Sequence, residues 1–203
     1  IEGLKRLRIS SIETSQISDE IIDLIGSNEI IVDHLHVPLQ AGCDETLKRM
    51  NRKYTTNQYL EKINKIRSYL PNIAFTTDVI VGFPGETDEE FDKTYDFIEL
   101  HVFPYSPRKN TPAAKMPNQV NDHIKHDRAN RLLALSKELN RDFALKQIGK
   151  SLKVLFEKRD GDYLIGHASD YLKVKVKTDR DMIGEIVDIR IDKYDGILEG
   201  SVV

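Results

Sequence analysis

The sequence has 203 residues, of which 39% are hydrophobic and 31% are charged, and its formal net charge is -3. This composition excludes a globally disordered chain and a protein that binds nucleic acid through bulk positive charge. The length suits one medium domain followed by a small one. The single cysteine, Cys43, excludes a disulfide framework and cannot hold a metal cluster by itself. We expect Cys43 to be a buried filler residue, and we expect no metal ligands.

The sequence contains no signal peptide and no apolar run long enough to span a bilayer. We therefore expect a cytoplasmic protein with no membrane partner. The chain starts at Ile1 and enters a strand-like segment almost at once. This abrupt start predicts that the chain is a fragment of a larger enzyme.

The first half of the sequence predicts alternating strands and helices. The expected strands are residues 6–10, 33–37, Ala74–Val81 and 100–105. The expected helices follow an N-cap at Ser18, start at Asp44, follow a cap at Thr56, and follow a capping box formed by Thr87 and Glu90. The continuous apolar run Val79-Ile80-Val81 predicts a strand that is buried on both faces. This order is typical of parallel βα units, either as a small open sheet or as part of a TIM-like barrel.

One junction in this half is unusually short. The helix expected to end near Ile98 runs directly into the strand at Leu100. Helix-to-strand connections usually need about 2–6 residues. We therefore predict that residues are missing between Ile98 and Glu99.

The second half predicts a long helix and then a small all-β unit. Residues 120–148 carry one apolar stripe, with charged residues on much of the remaining surface. The stripe consists of Ile124, Leu132, Leu135, Leu139 and Phe143. After Gly149, five short alternating segments separated by turns predict a small β-barrel. The sequence thus divides into residues 1–147 and 148–203.

Polar residues cluster at the expected carboxyl ends of the strands, where parallel βα folds bind ligands. The candidates there are Ser11, Glu13, His36, Gln40, Gly82, Phe83, Tyr105, Ser106 and Arg108. Each has a structural alternative, and taken alone His36 is more often a buried core histidine. Their convergence on one edge favours a site for a small polar ligand. No catalytic triad, phosphate-binding loop or metal-ligand spacing occurs, so we expect no catalytic residue in this chain.

Lys173, Lys175 and Lys177 alternate along an expected strand and would share one face. With nearby tyrosines they would form a phosphate-binding surface with an aromatic platform. An ordinary solvated face is the equally weighted alternative, because acidic residues are as frequent nearby.

In this order, these clusters resemble the radical S-adenosylmethionine methylthiotransferases. Residues 8–13, 34–42 and 78–87 resemble the barrel of the family, and residues 100–108 resemble its threonylcarbamoyladenosine tRNA branch. Residues 155–171 resemble the TRAM domain, an RNA-binding β-barrel. The resemblance implies the C-terminal part of an enzyme that adds a methylthio group to N6-threonylcarbamoyladenosine in tRNA, beside the anticodon. It also implies S-adenosylmethionine and two [4Fe-4S] clusters in the full-length parent, with none bound by this fragment.

By the same resemblance, Ser11, Glu13, Gln40, Gly82 and Phe83 would line the S-adenosylmethionine side of the barrel. Tyr105, Ser106 and Arg108 would face cofactor or substrate at the same mouth, and the TRAM domain would grip tRNA. The cluster-binding cysteines are absent, so the chain would need the missing N-terminal half of its polypeptide as a partner. Asp170 stands where the family leads us to expect Asn, which weakens one expected RNA contact. The alternatives are a stand-alone RNA-binding module, a small βα enzyme with hydrolytic or isomerase chemistry, or a relative that modifies isopentenyladenosine tRNA or a ribosomal-protein aspartate.

Overall fold

The computed structural model describes residues 2–96, 100–104 and 113–203, without the side chains of residues 100–104 and 114. The helices are α1 Asp19–Ser27, α2 Asp44–Arg49, α3 Thr56–Tyr69, α4 Asp88–Tyr95 and α5 Asp122–Leu145. The strands are β1 His34–His36, β2 Ala74–Val81, β3 Leu100–Pro104, β4 Ser151–Asp160, β5 Tyr163–Ala168, β6 Lys173–Lys177, β7 Ile186–Tyr194 and β8 Leu198–Val202. Short 3₁₀ turns occupy Thr14–Gln16 and Ala113–Lys115.

Strands β1, β2 and β3 form a parallel sheet in that order. The mixed α/β first half is therefore confirmed, but the predicted strand at residues 6–10 is wrong. That segment makes a single bridge, in which Leu7 N donates to Ile30 O at 2.7 Å and Val32 N donates to Leu7 O at 3.0 Å. The next backbone hydrogen bond from the N-terminal segment to the parallel sheet comes five residues later, from Ile12 N to His36 O. Two hydrogen bonds at one residue do not make a ladder.

Local capping explains where the helices begin. The Ser18 side chain accepts a hydrogen bond from Ile21 N at the start of α1, and the Thr87–Glu90 capping box opens α4, as predicted. The cap of α3 is Thr55 rather than Thr56. Thr55 forms its own capping box with Gln58, so Thr56 becomes the first helical residue.

The helices cover one face of the parallel sheet and create the larger hydrophobic core. This core contains Ile22 and Ile25 of α1, Ile63 and Ile66 of α3, Phe91 of α4, Leu132 of α5, and Leu35, Val37, Phe75, Val79 and Val81 of the strands. The other face of β2 is only partly buried, since Thr76, Asp78 and Ile80 alternate with these core residues. The prediction of burial on both faces is therefore wrong for β2.

The long helix and most of its apolar stripe are confirmed, since Leu132 is buried and Leu135, Leu139 and Phe143 are half-buried, but the first turns differ from the prediction. Ile124 is 41% exposed, whereas Lys125 and Arg128 are buried. Two charged side chains thus replace the expected apolar contact in the first turns of α5. Arg128 pairs with Glu86 in the loop after β2 and with Asp88 at the start of α4, and the stem of Lys125 packs against Gly82.

The five strands after α5 form the closed barrel β4-β5-β6-β8-β7, which confirms the predicted small barrel. Alternate residues such as Val154, Phe156, Val174 and Val176 fill its interior. Ala144, near the end of α5, packs into the same core and so ties the helix to the barrel.

The joint between Ile98 and Glu99, where we predicted missing residues, lies outside the described residues. No helix within the described part of the chain has both the length and the apolar character that crossing a bilayer requires.

Candidate functional site

The structure places Gln40 at the carboxyl edge of the parallel sheet. Gln40 forms an isolated parallel bridge with Val79, in which Gln40 N donates to Asp78 O and Ile80 N donates to Gln40 O, both at 2.8 Å. Its φ of 69° lies in the left-handed region, which a residue with a side chain adopts only when its surroundings impose it. The backbone that carries Gln40 is therefore fixed beside the end of β2.

Two buried hydroxyl groups and one half-buried hydroxyl group hold the segment that leads to Gln40. Tyr59 Oη and Thr77 Oγ1 donate to Val37 O at 2.8 and 2.7 Å, and Leu39 N donates to Thr77 Oγ1 at 2.7 Å. Tyr54 Oη donates to Leu39 O at 3.0 Å. Burial raises the pKa of Tyr54 and of Tyr59 to about 12, so both hydroxyls keep their protons at neutral pH.

Ser11 and Glu13 reach the same edge from the N-terminal segment. The hydrogen bond from Ile12 N to His36 O, at 3.0 Å, sets this segment beside the end of β1. Glu13 is exposed and accepts from Arg52 Nη1 at 2.8 Å. The backbone of the segment that carries Ser11 and Glu13 thus lies beside the end of β1, four residues before Gln40, and the role of these side chains in binding stays a prediction.

Gly82 forms a tight turn directly after β2. Its φ is +72°, and its N–H donates at 2.7 Å to Glu86 Oε2. A Cβ at this position would overlap the Cγ of Lys125, so both conformation and space require glycine. The next residue, Phe83, is only 8% exposed, so its ring is largely covered rather than presented to the edge as we expected.

A chain of polar side chains crosses the face of the sheet opposite the helices. Arg8 Nε donates to His34 Nδ1 at 3.4 Å, and Thr76 Oγ1 lies 3.0 Å from His34 Nε2 and 2.9 Å from His36 Nδ1. His36 Nε2 lies 3.3 Å from Asp78 Oδ2.

Because Arg8 can only donate and Asp78, as a carboxylate, only accepts, we assign one direction to the chain. His34 then accepts at Nδ1 and donates through Nε2 to Thr76, and His36 donates through Nε2 to Asp78. His36 has partners on both ring nitrogens and a side chain that is only 14% exposed, as the core-histidine alternative expects, and its role in ligand binding stays a prediction. Sequence reasoning missed Arg8, His34 and Thr76, although the alternation His34-Leu35-His36 was the available signal.

Cys43 is buried, as predicted, and burial raises the pKa of its thiol. Cys43, Glu45 and Glu90 lie close enough together to suggest a cation site. Hydrogen bonds already engage these groups: Cys43 Sγ donates to Glu45, and Glu90 accepts from Thr46 and Arg49. The cluster is therefore a hydrogen-bonded structural group.

The lysine face on β6 is confirmed as a face, because Val174 and Val176 point into the barrel between the lysines. Its charge is partly neutralised. Lys175 Nζ lies 3.2 Å from Glu199 Oε2 and 5.1 Å from the centre of the Tyr163 ring, and Lys177 Nζ lies 3.4 Å from Asp162 Oδ2. No ion pair among the described residues involves Lys173, which therefore contributes the largest unbalanced charge of the three.

Asp170 lies in the loop between β5 and β6, where its carboxylate accepts from Leu172 N at 3.1 Å. Burial raises its pKa, and nearby Asp33 adds to this effect, while the Leu172 hydrogen bond and Lys150 oppose it. The charged form is therefore disfavoured in the folded protein, and Asp170 costs stability at neutral pH. This cost disappears as the pH falls through the raised pKa.

We expect Asp170→Asn to raise the melting temperature at pH 7, because the amide oxygen still accepts from Leu172 N and carries no charge. A gain of about 1 kcal/mol would correspond to about 2–4 °C for a chain of this size. The gain should shrink as the pH falls below the raised pKa of the wild-type carboxyl, because the folded protein then carries it in the protonated form. Thermal melts of both proteins from pH 4 to 8 test this, and a gain that does not depend on pH would contradict the electrostatic explanation.

Tyr105, Ser106 and Arg108, expected at the same mouth, lie outside the described residues. Their placement stays a prediction.

Comparisons with known proteins agree with this arrangement. Residues 2–98 match the model of the Radical SAM superfamily. The chain is 47% identical over 204 residues to the threonylcarbamoyladenosine tRNA methylthiotransferase MtaB of Bacillus subtilis, covering 95% of this chain and 45% of that protein. It is 42% identical over 200 residues to the tRNA-2-methylthio-N(6)-dimethylallyladenosine synthase of Thermoanaerobacter pseudethanolicus, covering 94% of this chain and 42% of that protein.

A further synthase of the same name, from Acetivibrio thermocellus, is 40% identical over 217 residues and is covered to 44%. The chain thus spans less than half the length of these curated relatives. The parallel sheet, its polar carboxyl edge and these similarities lead to one conclusion: the chain belongs to the radical S-adenosylmethionine methylthiotransferase family.

Proposed function

We propose that this chain supplies the cofactor-binding sheet edge and the tRNA-binding barrel of an enzyme. That enzyme adds a methylthio group to N6-threonylcarbamoyladenosine beside the anticodon of tRNA. The observation that carries the proposal is the gathering of Ser11, Glu13 and Gln40 at one edge of a parallel sheet, joined by α5 to a closed five-stranded barrel. Within this proposal residues 1–147 are the cofactor unit, and residues 148–203 are a TRAM-like RNA-binding unit in the cytoplasm.

The chemistry of the carboxyl edge fits S-adenosylmethionine. The Ser11 hydroxyl, the Glu13 carboxylate and the Gln40 amide match ribose hydroxyls and an α-amino group in hydrogen-bonding character. Gly82 allows the backbone to approach a flat adenine closely, with Phe83 following it in the turn. When bound beside an iron–sulfur cluster, S-adenosylmethionine supplies radical chemistry. The residues of this chain would bind and orient it.

The chain does not fit an iron–sulfur cluster. A [4Fe-4S] cluster needs several thiolates, and the sequence has one cysteine. Cys43 is buried and donates to Glu45, which leaves its thiol protonated. The cluster ligands of the proposed enzyme would therefore come from a part of the protein that this sequence does not include, so this chain alone would be inactive.

The substrate assignment rests on the 47% identity to a threonylcarbamoyladenosine enzyme, against 42% and 40% for the two dimethylallyladenosine enzymes. Mass spectrometry of tRNA nucleosides from a strain that lacks the full-length gene tests it. We expect loss of the 2-methylthio form of N6-threonylcarbamoyladenosine and retention of the dimethylallyl form. The opposite loss would identify the isopentenyladenosine enzyme, and unchanged tRNA would favour the ribosomal-protein aspartate.

The barrel should bind an anticodon stem-loop in a salt-dependent manner, with Lys173 as its strongest single lysine. Loss of one phosphate contact lowers the slope of log affinity against log salt by about 0.7–0.9. We expect this reduction for Lys173→Ala and a smaller one for Lys175→Ala and Lys177→Ala, whose charges are partly neutralised by Glu199 and Asp162.

Fluorescence anisotropy with a labelled stem-loop at several salt concentrations measures both affinity and slope. Lys65→Ala is the control, because Lys65 is an exposed lysine on α3, outside the barrel, and it is paired with Asp19 as Lys175 and Lys177 are paired with acidic residues. A wild-type chain that binds no RNA would contradict RNA binding by the barrel. Equal effects of Lys65→Ala and Lys173→Ala would contradict the placement of the RNA surface on β6.

A further inference from the structure

The loop after β2 is held by a buried ion pair from α5. Glu86 has a fully buried side chain, and its Oε2 accepts both from Gly82 N at 2.7 Å and from Arg128 Nη1 at 2.6 Å. Arg128 is 4% exposed, and its Nη2 continues to Asp88 Oδ1 at 2.7 Å. One carboxylate oxygen therefore joins the glycine turn to the helix.

A second α5 residue covers the same turn from outside. The stem of Lys125, one helical turn before Arg128, occupies the space where a Cβ of Gly82 would lie. The Nζ of Lys125 reaches Asp122 Oδ1 at 2.9 Å, near the start of the helix. The two charged residues that sequence reasoning assigned to the solvent-facing side of α5, or overlooked, thus enclose the turn.

The Glu86 carboxylate depends on Arg128 to stay where it is. Burial raises the pKa of Glu86, while Gly82 N and Arg128 oppose that shift. A buried carboxylate that loses its cation takes up a proton or turns toward water. Either change removes the charge-assisted hydrogen bond that fixes the Gly82 amide.

We propose that Arg128 is a positioning residue for S-adenosylmethionine: through Glu86 it fixes the backbone of Gly82 and Phe83 at the carboxyl edge. This inference rests on the proposed function of that edge. It also gives α5 a second role. Its 24 residues span about 36 Å, from the Gly82 turn to Ala144 in the core of the small barrel. One rigid helix therefore contacts both the parallel-sheet unit and the barrel.

The test compares Arg128→Met with the double variant Glu86→Gln/Arg128→Met in the 203-residue chain. The single variant leaves an unpaired buried carboxylate. The double variant is neutral, and its amide oxygen still accepts from Gly82 N. Leu132→Ala is the control, because Leu132 is a fully buried core residue one turn further along α5 and destabilises without removing the ion pair.

Two readouts are needed, at a temperature where every variant is folded. NMR hydrogen exchange at the Gly82 amide reports on the turn, and calorimetric titration with S-adenosylhomocysteine reports on the site. We expect Arg128→Met to exchange about tenfold faster at Gly82 and to bind about tenfold more weakly, as loss of a hydrogen bond to a charged group implies. The double variant should return to within about twofold of wild type in both, and Leu132→Ala should leave the dissociation constant unchanged.

The positioning role of Arg128 and the proposed function of the carboxyl edge are contradicted by different results. Arg128→Met with wild-type exchange at Gly82 and wild-type affinity overturns the positioning role while the cofactor edge stands. Equal weakening by Leu132→Ala and Arg128→Met also overturns it, since general destabilisation would then suffice. Absence of S-adenosylhomocysteine binding by both the wild-type chain and the full-length enzyme counts against the proposed function of the edge itself.

Discussion

Replacing Gly166 by alanine is expected to prevent closure of the small barrel. Gly166 lies on β5, opposite Phe156 on β4 and Val174 on β6. An added Cβ would overlap the carbonyl oxygen of Leu155 and crowd the Cα of Phe156. These are backbone atoms of the paired strand, so no side-chain rotation relieves the overlap. We expect a loss of at least about 3 kcal/mol, the upper end of overpacking effects.

The measurement is chemical denaturation followed by a signal from the barrel, such as the fluorescence of Tyr163 and Tyr194. Gly161→Ala is the matched control, because Gly161 is in the turn between β4 and β5 and an added Cβ meets nothing within 4 Å. Its φ of +55° is left-handed, so alanine there should cost only about 1–2 kcal/mol. Equal losses of stability in Gly166→Ala and Gly161→Ala would show that backbone conformation, and not crowding between strands, sets the cost of the substitution.

The Gly166 variant also separates the two proposed functions of the chain. The large core contains no residue of β4–β8, so the parallel sheet and its carboxyl edge have their own hydrophobic support. RNA affinity should therefore disappear with the barrel, while binding of S-adenosylhomocysteine at the edge is retained. Loss of both together would show that the edge needs the barrel for its shape.

Local patterns explain why the small barrel could be predicted from the sequence. Alternation such as Lys173-Val174-Lys175-Val176-Lys177 fixes which side chains enter the core. The requirement for glycine at position 166 could not be read in the same way. It arises because the paired strands β4 and β5 approach closely beside the irregularity between Phe156 and Lys158, and that approach is a property of the folded barrel.

Charged residues mark the limit of sequence reasoning in the first half. Hydrophobic periodicity assigned Ile124 to the buried face of α5, whereas Lys125 and Arg128 occupy it. Hydrophobic periodicity reports only which positions would bury apolar side chains. It carries no information about Glu86, which lies in a loop 42 residues earlier and pairs with Arg128. The polar chain from Arg8 to Asp78 was missed for the same reason, since each link joins segments that the sequence separates.

Removing Arg6 is expected to uncouple the two units. Arg6 donates through Nη1 to His167 O at 3.1 Å and through Nη2 to Lys153 O at 2.8 Å, so one side chain from the N-terminal segment grips β5 and β4. Arg8 strengthens this contact, with its guanidinium 3.5 Å from the centre of the Tyr171 ring. Charge-assisted hydrogen bonds and a cation–π contact of this kind together contribute a few kcal/mol.

We expect the wild-type chain to unfold in one calorimetric transition and Arg6→Ala/Tyr171→Ala to unfold in two, because the remaining link is mainly α5. Arg159→Ala is the matched control. Arg159 also donates to two carbonyl oxygens, those of Thr178 and Arg180, but both lie within the small barrel. It should lower the stability of the barrel without splitting the transition. A single transition in the double variant would contradict the coupling.

The Arg6→Ala/Tyr171→Ala variant also tests whether contact between the two units matters for the activity of the full-length enzyme. Arg8 begins the polar chain that ends at Asp78, beside the backbone that carries Gln40, so the barrel contact and the carboxyl edge share one network. Arg6 and Tyr171 lie at the Lys173 end of the proposed RNA surface, because Arg6 bonds to His167 O and His167 is paired with Lys173 on β6. Stem-loop affinity should therefore fall, and methylthiolation by the full-length enzyme should fall further, because the bound tRNA is no longer placed. Equal losses in affinity and turnover would instead make Tyr171 part of the RNA contact.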